Sequence, residues 1–234
     1  MATFKGFNRR LTCLLIMAVL LVLSGCQGCG SMASVERFRK SSDPYQGSPY
    51  QVALSQWTRE ARIYQGLDVK LIASATYKSP AFRQAYIAEY ARAYALTDAR
   101  KTRLEKDHQA AAGMFNDFIL AAYVPEKDWD NFSRRDSAWS MFIITGSGKQ
   151  VLPVEIRKIK KPDAVFTHFF PYATPWKSIY LVRFPMQVTG TREPVINDDA
   201  DGTKLVITSV LGKTEMVWSR NAAGNRPSTK TVQP

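Results

Sequence analysis

Residues 67–82 read LDVKLIASATYKSPAF. Through the first eleven, the odd positions Leu67, Val69, Leu71, Ala73, Ala75 and Tyr77 are apolar, while Asp68, Lys70, Ser74 and Thr76 between them are polar. A period of two puts the apolar set on one face of a half-buried β-strand, and Gln65-Gly66 supplies the turn that leads into it. At Ser79-Pro80 the period changes. Serine caps a helix by accepting a bond from a free backbone amide, and proline suits the first helical position. Phe82, Tyr86, Tyr90 and Tyr94 then recur at steps of four, a slowly drifting aromatic stripe on one helical face.

Thr97-Asp98 restarts a second helix, expected to run through Leu104 to Ala112 and to end at Gly113; its charged middle, Arg100 to His108, reads as solvent-exposed. Ahead of residue 67, Ala61 and Ile63 mark another strand. Beyond Gly113, Phe118, Leu120, Ala122 and Val124 share a face until Pro125 stops the segment. Trp139, Met141 and Ile143 lead into the turn Gly146-Ser147-Gly148-Lys149, from which Leu152, Val154 and Ile156 return as the clearest hairpin. Tyr180, Val182 and Phe184 form a further strand, and Leu205 to Leu211 and the segment with Met216 and Trp218 form the last two. About eight strands with short links predict an α+β chain, mainly β: an antiparallel β-sandwich of immunoglobulin-like kind, with a helical pair inserted after the second strand at about residues 80–112. A partly closed barrel is the alternative.

Outward from this domain, 51–220, the ends differ in composition. Asn221 to Pro234 lacks a large apolar face and reads as a disordered tail, 221–234. Residues 26–50, with Gly28, Gly30, Asp43-Pro44, Gly47 and Ser48-Pro49, read as a flexible tether spanning about 25 to 30 Å. Phe38, flanked by Arg37, Arg39 and Lys40, suits an anionic membrane surface. Before the tether stand Lys5, Arg9 and Arg10 and an apolar run of 13 residues, Leu11 to Leu23, broken by Thr12 and Cys13. A helix of that length falls short of a bilayer of about 30 Å, so the run reads as the core of a signal peptide, 1–25.

The run ends in Leu23-Ser24-Gly25-Cys26, which resembles the lipobox of bacterial lipoproteins. The resemblance implies that the Cys26 thiol takes a diacylglyceryl group, that cleavage falls just before it, and that two or three acyl chains then hold the protein at a membrane. It also implies, through Gln27 in place of an aspartate, an outer-membrane address on the periplasmic face in a host with two membranes. Of three cysteines, Cys13 would leave with the signal and Cys26 would be acylated, so Cys29 remains alone and no disulfide forms within one mature chain.

The chain carries a net charge of +12; removing Lys5, Arg9 and Arg10, with no acidic residue before Cys26, leaves +9. Dispersed as they are, the charges read as a basic solvated surface with no groove for nucleic acid, and no nucleic-acid partner is expected. The Gly146-Lys149 turn is not a phosphate loop, since Ile143 stands where a glycine is needed and Gln150 where a Ser or Thr is. With His108 and His168 as the only histidines, a zinc site is not expected. His168, amid Phe166, Phe169 and Phe170, reads as structural. No Gly-x-Ser-x-Gly elbow presents a serine nucleophile, so no catalytic residue is assigned.

The remaining metal candidate is Asn197-Asp198-Asp199-Ala200-Asp201-Gly202, where oxygen ligands at Asn197, Asp199 and Asp201 and a glycine at the sixth position match the first half of a calcium loop. Thr208 stands at the twelfth position instead of glutamate, and an ordinary Asn/Asp-rich loop accounts for the same residues. No other cofactor is expected. The leading function is a non-enzymatic interaction or structural module in a cell-envelope assembly, anchored to the membrane and docking an envelope protein. Phe82 and Tyr86 are expected to be buried and at least one of Tyr90 and Tyr94 accessible to that partner; the competing expectation is that all four pack as core. A glycan-, lipid- or polymer-binding lipoprotein is the second class, and a hydrolase with an unrecognised site the third.

Overall fold

The computed structural model describes residues 47–197 and 202–218. Its first element lies where the tether was expected to end. Ser48 accepts a hydrogen bond from the Gln51 amide at 3.2 Å and Pro49 takes the first helical position, so α1 runs Pro49–Trp57. Tyr50, Leu54 and Trp57 fall on one face of it and are buried. The folded domain therefore starts ahead of residue 51, on the same Ser-Pro signal that starts the later helix at Ser79.

Strands β1 (Thr58–Gln65) and β2 (Asp68–Tyr77) form an antiparallel hairpin with Ala61 opposite Ala73 and Ile63 opposite Leu71. Gly66, at φ 60°, makes the turn, and Leu67 stands fully exposed at its tip. Leu71, Ala73, Ala75 and Tyr77 are buried as their period demands. Ser74 and Thr76 on the opposite face are buried as well, which corrects the expectation of a solvated polar face. They tolerate this because they are bonded: Thr76 Oγ1 lies 2.7 Å from Thr58 Oγ1 and 2.5 Å from the Tyr172 hydroxyl, and Ser74 Oγ accepts from Lys177 at 3.3 Å.

Between the second and third strands stand helices α2 (Pro80–Ala93) and α3 (Asp98–Met114). Ser79 Oγ accepts from the Phe82 amide at 3.0 Å, the cap its sequence calls for. Helix α3 passes into β3 (Phe115–Tyr123) without a loop. Strand β3 is central and buried on both faces, so it reads as a nearly continuous apolar run and not as an alternation.

The rest of the chain supplies β4 (Ser140–Ile144), β5 (Gln150–Val151), β6 (Glu155–Ile159), helix α4 (Ala164–Phe169), β7 (Ser178–Pro185), β8 (Thr203–Ser209) and β9 (Gly212–Trp218). They complete two antiparallel sheets, in the orders β1-β2-β3-β7-β6 and β5-β4-β8-β9. The chain is thus α+β, with strands dominating. The expected hairpin after Gly148 is cut short. Only Gln150 and Val151 pair with β4; Leu152 (61% exposed) and Pro153 then leave the sheet, and β6 pairs with β7 in the other one. Pro153 has no amide hydrogen with which to continue the ladder, so the strand ends there.

Both sheets feed one core. Phe118 of β3 meets Trp218 of β9 edge-on at 5.4 Å and Phe184 of β7 at 5.7 Å, with Ile143, Leu205 and Met216 buried in the same cluster. Along one seam the edge of β1 leans on β9: Arg59 Nε donates to the Val217 carbonyl at 2.8 Å, and Trp218 Nε1 donates to the Trp57 carbonyl at 3.0 Å.

Candidate functional site

The helical insertion carries two features that the sheets alone would not need. The first is a ladder of rings along α2. Phe82, fully buried, lies 5.9 Å from Tyr50 of α1; Tyr86 lies 4.6 Å from Phe169 of α4; Tyr90 stacks 6.0 Å from Tyr86; and Tyr94, at the end of the helix, lies 4.5 Å from Tyr90. Exposure grows along the series. Tyr86 and Tyr90 are half-buried, packed against the core, and Tyr94 is 47% exposed. A step of four drifts around the helix because 3.6 residues make a turn, so the last ring rotates off the core-facing side.

The second feature is a knot of charge beneath the adjoining face of α2. Arg83 donates from Nη2 to Asp117 Oδ2 at 3.0 Å and from Nε to the Lys78 carbonyl at 2.9 Å. Asp117 Oδ1 also takes Arg183 Nε at 3.3 Å, and Arg183 reaches on to Glu155 at 2.9 Å. The Lys78 ammonium gains neither hydrogen bond nor ion pair among the described residues. Burial, and secondarily the Arg83 charge, push its pKa down to about 8.

Above this knot a cleft of about 690 Å³ separates α2 from α3. Its walls include Arg83, Gln84, Ile87 and Ala88 from α2 and Lys101, His108 and Ala112 from α3. The His108 ring stacks on Tyr86 at 5.5 Å, yet its Nδ1 is buried without a partner. Burial, followed by the Lys78 and Arg83 charges, pushes this imidazole down to about 4, so it is neutral near pH 7. The charged middle of α3 is thus mostly exposed, with Lys101, Leu104 and His108 partly buried and Lys101, Glu105 and His108 lining the cleft.

Of the residues singled out in sequence, Tyr90 and Tyr94 fall at the outer end of the ring ladder. Asn197 is exposed, while Asp199 and Asp201 lie outside the described residues, as do Cys26 and the lipobox. Among the described residues no three His, Cys, Asp or Glu side chains gather where they would hold a metal ion. A serine-lysine pair does occur, Ser74 with Lys177, but Ser74 is fully buried and its hydroxyl is already engaged, accepting from Lys177 at 3.3 Å and donating to Glu60 at 3.4 Å. Lys78, Arg83, Asp117, Arg183 and His108 form a cluster that sequence reading missed. The available signal was a lone Asp117 within the apolar strand Phe115–Tyr123 and a lone Arg183 within Ser178–Pro185, since charges inside buried strands demand partners.

Compared with protein families, with curated proteins and with solved structures, the chain matches none.

Proposed function

We propose that the chain is a lipid-anchored envelope protein without enzymatic activity, held through Cys26 on the periplasmic face of an outer membrane, whose helical insertion docks a protein partner. The observation that carries the docking surface is the ring ladder, which runs from the buried Phe82 to the half-exposed Tyr94. Tyrosine at such an edge brings a large contact area at little side-chain entropy, and it tolerates both water and a partner. The anchor rests on the sequence Leu23-Ser24-Gly25-Cys26. The two-sheet body we read as intermediate between an immunoglobulin-like sandwich and a partly closed barrel, because the sheets share a core and lean together at β1 and β9.

The test is crosslinking in cells of the host, followed by recovery of the tagged chain. Tyr90→Ser with Tyr94→Ser should abolish a specific crosslinked band while leaving the protein folded; an unchanged pattern counts against the surface. Cys26→Ser should release the chain from detergent-dependent extraction, and wild type extracted without detergent would refute the anchor.

A further inference from the structure

We propose that the cleft between α2 and α3 binds a small amphiphilic organic anion, a monocarboxylate with a hydrocarbon body. Its head lies against Arg83 and His108 with the Lys78 ammonium behind them, and its body lies along Ile87, Ala88 and Ala112. The charges beneath the cleft do not balance within the protein. Asp117, shared at contact distance between Arg83 and Arg183, is also the carboxylate whose charge acts on Lys78, which makes no ion pair among the described residues, and Glu155 is shared between Arg183 and Arg157. Glu105 also lines the cleft, but Lys101 at 3.9 Å offsets its charge at the mouth.

The Lys78 ammonium, only partly offset by Asp117, and the orphaned imidazole atom lie in mutual electrostatic reach, since Lys78 and Arg83 are what depress His108 after burial. A carboxylate placed there meets the Arg83 guanidinium and the His108 imidazole, which it can bring toward protonation, while the Lys78 ammonium, outside the lining, acts on it through space. Helix α3 carries no buried residue, so the wall of the cleft is not locked by a core of its own. The apolar side chains along the same walls leave a phosphate ion too small to fill the space and favour a ligand with a tail. This site adjoins the ring ladder at Tyr86, on which His108 stacks, but Tyr90 and Tyr94 do not line it, and it does not depend on the membrane anchor.

The probes are octanoate, octanol and inorganic phosphate, titrated by calorimetry into the full mature chain carrying His168→Gln, so that one imidazole signal remains for proton NMR. Octanoate should bind saturably, at least ~10-fold more tightly than octanol or phosphate. In the complex the His108 midpoint should rise by at least about one pH unit from its value near 4. Lys78→Gln should weaken octanoate ~10-fold and leave octanol unchanged. Ala112→Leu, on a helix with no buried residue, should block the cleft without unfolding the chain. Octanol or phosphate binding as tightly as octanoate, an unmoved His108 signal, or full octanoate affinity in the Ala112→Leu chain would overturn the assignment.

Discussion

The guanidinium of Arg83 stands 3.0 Å from the carboxylate of Asp117, with the two side chains 5% and 3% exposed. One ion pair thereby fastens the first helix of the insertion to the central strand of the larger sheet. Asp117 takes a second cation, Arg183, at 3.3 Å, so the two members of the pair are not equivalent. Removing Asp117 strands buried positive charge, whereas removing Arg83 leaves Asp117 still paired.

Asp117→Ala should accordingly lower the unfolding free energy by about 3 to 5 kcal/mol, and Arg83→Leu by clearly less. Urea denaturation of the two variants decides the order. Equal losses would mean that the second cation contributes nothing.

The gradient of exposure along α2 predicts a gradient of cost. Phe82→Ala should destabilise by about 3 to 5 kcal/mol, as for a core aromatic. Tyr94→Ser, at a half-exposed end, should cost about 1 kcal/mol or less. Thermal melts of both variants test this, and unfolding by Tyr94→Ser would make the outer ring part of the core.

His108 makes stability depend on acid. Its folded pKa, depressed to about 4 by burial and then by Lys78 and Arg83, with Asp107 opposing, lies below the ordinary value of 6.5. Between those values the unfolded chain holds more protons than the folded one, so its contribution is intact above pH 6.5 and is lost as pH falls toward 4. Because the ring is partly exposed, the loss should be of order 1 kcal/mol, smaller than the shift alone implies. His108→Gln should flatten that part of the stability profile relative to wild type; parallel profiles would place the titration elsewhere.

Gly212 tests the seam between the sheets. It opens β9 at φ 138°, and a Cβ there would stand 2.8 Å from Cγ2 of Ile63 on β1. Gly212→Ala should therefore cost about 1 to 3 kcal/mol through backbone strain and crowding. Adding Ile63→Ala should remove the crowding part, so the double-mutant cycle should show coupling between the two positions. Simple additivity would mean that the cost is purely conformational.

The sequence by itself determined the local elements of this protein. The alternation from Val69 to Tyr77 is a strand, Ser79-Pro80 starts a helix, and the turn at Gly148 with its left-handed φ joins β4 to β5. Each of these depends on residues within about one helical turn or one strand pleat, and a period, a cap or a glycine is visible at that range. Ser48-Pro49 carried the same helix signal as Ser79-Pro80, and the surrounding Gly, Ser and Pro masked it. Tertiary structure alone decided which elements meet. Sheet membership of β6 turns on its pairing with β7, and burial of Ser74 and Thr76 turns on Lys177 and Tyr172, about a hundred positions away along the chain. The Arg83–Asp117 pair joins residues 34 apart, and the cleft at His108 exists only because α3 lies beside α2. A charge written into a strand or an exposed-looking helix declares that it needs a partner. Only the packed chain, which removes water from around it, selects which partner that is.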